Sequence, residues 1–448
     1  MKANRSSIPT CAVALVALAA GLASVGAHAQ NTRPPKAQLW LDLSTGSMAG
    51  MPEVELPAGM GGLLGGMMGG RAGGAGGGAS SVYGMARTMH IMPPRVLDIA
   101  FYNSLKPGAE AADVIPPGMR MGDSLPLLPP RPQAPAMRER DPGEVPQDVE
   151  RPKGRILIYW GCGEAVRPGQ PKVIDLSRAG AADFAAAFAG RRAPDRGAKV
   201  GAQHVLYPNE RSSVMPPRDS SLVGEHQVRG EGVPASMKFT LGQAQNLMSP
   251  LQLRTEGTLQ DSIVTTWASV PNARAYYLHA LSHSGNDMVM WSSAETPDTG
   301  MGLFDFLPNA TIDQWTRDRV LLRPDVSRCA VPKGIFAPAP SAREDSTPML
   351  RMIAYGGETN IVYPPRPADP RAAWEPEWAV RVRVKAHTMA MLGQEQEGRS
   401  TGRAAGRRGA DQPAPSSAAS DADKAPETPL LPGLPVNPGS LLKGLFGR

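Results

Sequence analysis

The stretch from Asp261 to Ala294, DSIVTTWASVPNARAYYLHALSHSGNDMVMWSSA, narrows most sharply what this chain can fold into. It is the densest aromatic and β-branched block of the sequence. Its side chains alternate with a period of two, the repeat of a pleated strand. Val264, Thr266 and Ala268 alternate with Thr265, Trp267 and Ser269. Pro271-Asn272 breaks the run, because proline has no N–H to give a ladder and asparagine tolerates turn dihedrals. The chain resumes with Tyr276, Leu278 and Ala280 on one face and Tyr277, His279 and Leu281 on the other. Ser284-Gly285-Asn286-Asp287 forms the next turn, and Met288 to Trp291 a third strand.

Within that block, Trp267, Val270, Pro271, Ala273, Tyr276 and Leu278 make a W-x-x-V-P-x-A-x-x-Y-x-L pattern. It resembles strands B and C of a fibronectin type III domain. The resemblance implies a type III or immunoglobulin-like two-sheet sandwich, a module that acts as scaffold or binder with no activity of its own. A plain antiparallel meander with proline in its turn is the alternative.

Glycine and proline limit how far regular structure extends. The 448 residues include 49 glycines and 46 prolines, and only 5% are aromatic, so any core sits in limited stretches. The expected fold class is mainly β: antiparallel β-sandwich modules, at least one of them fibronectin type III-like, with one short helix and long disordered segments. Residues 1–29 read as a secretory signal. Lys2 and Arg5 form its basic start, Cys11 to Val25 its apolar run, and Ala27-His28-Ala29 its cleavage site. The expected organisation thereafter is a β-rich region over 30–248, a β-sandwich-like domain over 249–392 and a disordered tail over 393–448. The Ala- and Arg-rich composition suits export to the periplasm or beyond in a Gram-negative bacterium.

Cleavage of the signal leaves two cysteines, Cys162 and Cys329. An even count in an exported chain predicts a disulfide, worth about 5 kcal/mol at most for so long a loop. Two separate buried thiols are the alternative. The formal net charge is +6, scattered along the chain, and no basic stripe with interleaved aromatics marks a nucleic-acid surface.

Further strands are expected at Lys36–Ser44, with Leu39, Leu41 and Leu43 on one face, and at Arg95–Tyr102 and Arg155–Trp160. Glycine density makes Gly46–Ser81 a flexible insertion. Recurrent proline over 107–152 predicts a polyproline strap or a linker, with Leu125, Leu127 and Leu128 against a surface. Ser177–Gly190 reads as a helix, with a further helical turn near Thr311. Gly356-Gly357 suggests a hairpin between 349–355 and 358–363. In the last strand Val380, Val382 and Val384 oppose Arg381, Arg383 and Lys385, which predicts one apolar and one solvated face.

No catalytic constellation stands out, and no motif implies a cofactor. Met67, Met68, Met89, His90 and Met92 are soft ligands that would suit Cu(I) in an exported protein; a low-complexity linker is the bland alternative. His279 and His283 share a strand face but lack a third metal ligand. Trp374 and Trp378 read as packing or as a stacking platform. Leu441, Leu442, Leu445 and Phe446 form an apolar tip on the tail, suited to docking on a partner or peripherally on a membrane. The reading that follows is a non-catalytic exported scaffold or binding protein that engages a protein or envelope partner. The alternatives are an enzyme with a site assembled from distant residues and a Cu(I)-binding protein.

Overall fold

The computed structural model describes residues 33–53, 83–130, 154–178, 190–338, 347–369 and 372–393. The expected signal (1–29), the helix interior (179–189) and the C-terminal tip (441–446) lie outside them. The described chain is mainly β. In order, the strands are β1 Ala37–Met48, β2 Arg95–Asn103, β3 Ala111–Val114, β4 Ser124–Leu127, β5 Arg155–Trp160, β6 Lys172–Asp175, β7 His204–Tyr207 and β8 Gly224–Gly230. They continue with β9 Lys238–Leu241, β10 Leu253–Glu256, β11 Ile263–Trp267, β12 Ala275–Ser284, β13 Asp287–Ser292, β14 Arg328–Val331, β15 Met349–Tyr363 and β16 Trp378–Met391. One helix, α1 (Asn309–Arg317), falls where the helical turn was expected and buries Ile312.

Nine strands form one sheet in the order β6-β5-β13-β12-β15-β16-β1-β2-β7. Its pairings are antiparallel except β1 with β16 and β13 with β5, which run parallel. β1 and β16, the first and last strands of the described chain, are neighbours in it. The sheet thus takes strands from both sides of residue 248. Two smaller antiparallel sheets, β10-β11-β14 and β4-β3-β8-β9, complete the framework. β11 and β12, the first two strands of the 261–294 block, lie in different sheets and pack Trp267 on Tyr276 at 5.6 Å.

The main core lies on one face of the large sheet. Leu39, Leu41 and Leu43 from β1 join Val380, Val382 and Val384 from β16 and Tyr276 and Leu278 from β12. Leu127, Phe239 and Trp267 meet them from the smaller sheets. Each such side chain stabilises by about 1.5–3 kcal/mol on burial.

Four expectations need correction. β1 runs through Gly46 to Met48, so the expected insertion begins later; 54–82 lie outside the described residues. The Pro-rich segment supplies β3 and β4, with Leu125 and Leu127 in the core, because Pro126 sits on an edge strand where a missing N–H costs no ladder bond. Gly356-Gly357 is no hairpin. β15 is continuous, with a bulge between Tyr355 and Glu358, and neither glycine has the positive φ that a tight hairpin turn needs. The bulge exposes the Glu358 backbone, and the Asn309 side chain satisfies it: Nδ2 donates to Glu358 O at 2.8 Å and Oδ1 accepts from Glu358 N at 2.9 Å. Finally, the cationic face of β16 is solvated only in part, at Arg381, since Arg383 is 2% and Lys385 1% exposed.

Candidate functional site

That buried cationic face is the most densely charged interior of the described molecule. Strand alternation places Asp42, Ser44 and Gly46 of β1 on it, beside Asp98 of β2 and Arg383, Lys385 and His387 of β16. The register sets Asp42 between Arg383 and Asp98, Ser44 opposite Lys385, and Gly46 opposite His387. A polar row of this kind survives burial only with partners. Two segments roof it and provide them: 83–92, and the chain around Phe304–Phe306.

Arg383 clamps Asp42 in a fork, Nε to Oδ1 at 2.6 Å and Nη2 to Oδ2 at 2.5 Å. Burial opposes the guanidinium's charge, but Asp42 outweighs it and the Arg383 pKa is raised. Beside them, burial drives the Asp98 carboxyl well above its ordinary range, against the pull of the Ala86 N–H, which donates to Oδ2 at 2.8 Å. Among the described residues Asp98 Oδ1 has no partner. Lys385 Nζ donates to Phe304 O at 2.6 Å and Thr88 O at 3.2 Å and lies 5.0 Å over the Phe306 ring. Burial lowers its pKa to about 7, although Asp305 favours the charge. Further out, Arg87 bridges Asp305 and Asp195.

Two histidines close the row. His90 Nδ1 lies 2.9 Å from Pro93 O, so it carries the proton, and Nε2 accepts from Ser44 Oγ at 3.0 Å. His387 Nδ1 lies 3.3 Å from Ser44 Oγ, and His387 Nε2 faces both the N–H of His90 at 2.9 Å and its carbonyl oxygen at 2.6 Å. Burial lowers the His90 pKa to about 3 and pushes His387 well below its ordinary value, so both rings are neutral. Position 46 must be glycine: a Cβ there would sit 2.1 Å from His90 O and 2.9 Å from His387 Nε2. The row consists of a forked ion pair, Asp42 with Arg383, beside a lysine held by backbone carbonyls and two histidines joined through Ser44. The Ser44 hydroxyl meets a histidine as a nucleophile would, but at 0% exposure it faces protein.

The disulfide forms as expected. Cys162 and Cys329 are bonded, with Cα atoms 5.1 Å apart, and join the turn after β5 to β14. The bridge ties the large sheet to the three-stranded one, and the Gly163 N–H bonds to Ala330 O beside it. The other expected site residues are scattered. Met67 and Met68 lie outside the described residues. Met89 packs against apolar side chains under α1, and both nitrogens of His90 are engaged within the protein. His279 is 1% exposed. His283, half-buried, lines a small depression of about 30 Å³ with Leu259, Ser282 and Phe336. Among the described residues no three His, Cys, Asp or Glu side chains are grouped to hold a metal. Trp378 packs inside, stacked on Tyr363 at 5.4 Å and donating to Ser236 O.

Sequence reasoning missed Asp42, Ser44, Asp98 and His387. The available signal was charge: an acidic residue within an apolar β1 and basic residues within an apolar β16, at alternating positions. Pairing the two strands would have matched them. No family model matches the chain, and no curated protein matches it. Among the described residues no helix is long and apolar enough to cross a membrane.

Proposed function

We propose that this chain is a non-catalytic, exported scaffold or binding protein built on β-sandwich modules, one of them fibronectin type III-like, that engages a protein or envelope partner. The observation that carries the reading is how the most charged interior is used. The forks and relays of Asp42, Arg383, Ser44, His90 and His387 close on the protein's own strands and backbone. They hold the roof to the sheet and so make a rigid body for presenting surfaces. The disulfide supports export, since such bridges persist in oxidising compartments. β11 and β12 in separate sheets support the sandwich. The test is capture from a cell-envelope extract by the full chain and by a chain ending at Leu392. A specific partner retained by the full chain is expected; none from either chain ends the reading.

One observation favours a second reading, an enzyme assembled from distant residues. Lys385, with its pKa lowered to about 7, lies beside residues drawn from both ends of the chain, and perturbed groups gather at functional sites. Acylation of Lys385 in the folded protein at pH 7, as fast as that of a free amine of similar pKa, would favour it. Protection would favour the scaffold.

A further inference from the structure

On the same face of the large sheet, β13, β12 and β15 set Ser292, His279 and Arg351 in one row, each opposite the next. Ser292 is 0%, His279 1% and Tyr277 1% exposed. Thirteen buried side-chain atoms lack a hydrogen-bond partner among the described residues, and five belong here: Tyr277 Oη, His279 Nδ1 and Nε2, Ser292 Oγ and Arg351 Nε. The Thr299 backbone favours His279 protonation slightly, and Ser292 eases Tyr277 ionisation, but both stand outside hydrogen-bonding geometry. Each orphaned group costs about 1–3 kcal/mol, so five together call for an occupant.

The charge says what kind. The Arg351 guanidinium lies 5.1 Å over the Phe304 ring, and no carboxylate of the described residues pairs with it. His279 meets the same ring edge-on at 5.9 Å. Burial, then Arg351, lowers the His279 pKa to about 3, so the ring is neutral and offers one N–H. The carboxylate of Asp298 is already taken by the N–H of Gly300 at 2.7 Å and by Arg191. One unmatched positive charge with neutral donors around it fits a single negative charge. Water would satisfy the donors and leave the charge. A phosphate dianion would bring a second charge toward Asp298.

We propose that Arg351, His279, Ser292 and Tyr277 form a binding site for a carboxylate, held by the planar guanidinium fork. Arg351 is half-buried and is the most exposed member of the row. The site rests on the reading of the chain as a binding protein and supplies that reading with a ligand chemistry.

The experiment is a titration of the full mature chain, labelled at histidine Cε1, with sodium acetate at constant ionic strength. The His279 resonance shifts saturably with acetate, and Arg351→Gln weakens the response about tenfold or more. No saturable shift, an equal response to chloride, or an equal response in Arg351→Gln overturns the site. If Arg351→Gln does not fold, Arg351→Lys keeps the charge without the fork; about tenfold weakening supports the site and unchanged binding overturns it. A short peptide with a free C-terminus, run beside its amide, identifies the source. Tighter binding of the acid peptide than of acetate assigns the site to a peptide terminus, and equal binding assigns it to a free small acid. Acetate binding without envelope capture would end the scaffold reading and leave this site standing; capture without acetate binding would end only the site.

Discussion

On one face of the nine-stranded sheet, Leu41 meets Val382 and Leu43 meets Val384. One residue along the same strands, on the other face, Asp42 meets Arg383 and Ser44 meets Lys385. Both faces are sealed, but by different physics. The apolar face gains from removing hydrocarbon from water, is non-directional and tolerates similar shapes. The polar face must match each donor and acceptor, and an error there costs the full desolvation of a charge. The first face makes the sheet stable, and the second fixes which irregular segments can lie on it.

The difference can be broken at its strongest point first. Asp42→Ala leaves Arg383 buried without its counter-charge, and a loss of about 3–5 kcal/mol is expected in urea unfolding. The double variant Asp42→Leu, Arg383→Met should recover most of that loss; a double variant as unstable as the single would mean that the fork itself supplies the stability. On the apolar face, Leu278→Ala, in a residue 0% exposed, should cost about 2–5 kcal/mol, and no partner substitution should rescue it.

Titration sharpens the contrast, since the apolar face has no pH dependence of its own. The folded pKa of Lys385 is lowered to about 7. Below that pH the folded protein bears the cost of a buried charge. Between about 7 and the ordinary lysine value of about 10.4 the unfolded chain binds more protons, so the Lys385 contribution raises stability as pH rises. The difference in Tm between the wild type and Lys385→Met should therefore change across pH 7–10; a constant difference contradicts the lowered pKa. Asp98 has the opposite sign. Its raised folded pKa makes its contribution complete below pH about 4 and lost as pH rises. Asp98→Asn should accordingly stabilise at neutral pH and not at pH 3, as measured by urea unfolding at both. The smallest effect belongs outside both faces. Arg323 and Asp325 pair with side chains 70% and 61% exposed, and Arg323→Ala should change stability by less than about 1 kcal/mol in the same assay.

Strand patterns were legible wherever one face is apolar and the period is two. Leu39, Leu41 and Leu43 read as a strand face and are one, and the 261–294 block forms its three strands. The pairing of Cys162 with Cys329 was expected by count from reading Cys11 as part of a cleaved signal, and the two are bonded. Legibility failed where a local signal has two tertiary meanings. Two adjacent glycines serve a turn or a bulge, and only the register of β15 against β16 identifies the bulge. An alternating row of Arg and Lys reads as a wet face, because cations are rarely buried without partners. Its partner Asp42 lies 341 residues away. The candidate site failed for the same reason: His90 drew notice only as a soft metal ligand, and nothing local says that it meets His387 with ring centroids 4.6 Å apart.

Taken alone, the amino-acid order determined that this protein is mainly β and where its most regularly alternating strands lie, β1, β2, β5 and the 261–294 block among them. These are properties of neighbours along a chain, set by side-chain alternation and by the backbone limits of proline and glycine. Which strands lie side by side, which face is roofed and which charges meet beneath the roof were decided only by the folded structure. Those outcomes depend on distances between residues hundreds of positions apart, and the cost of burying a charge has a value only once its counter-charge is in place.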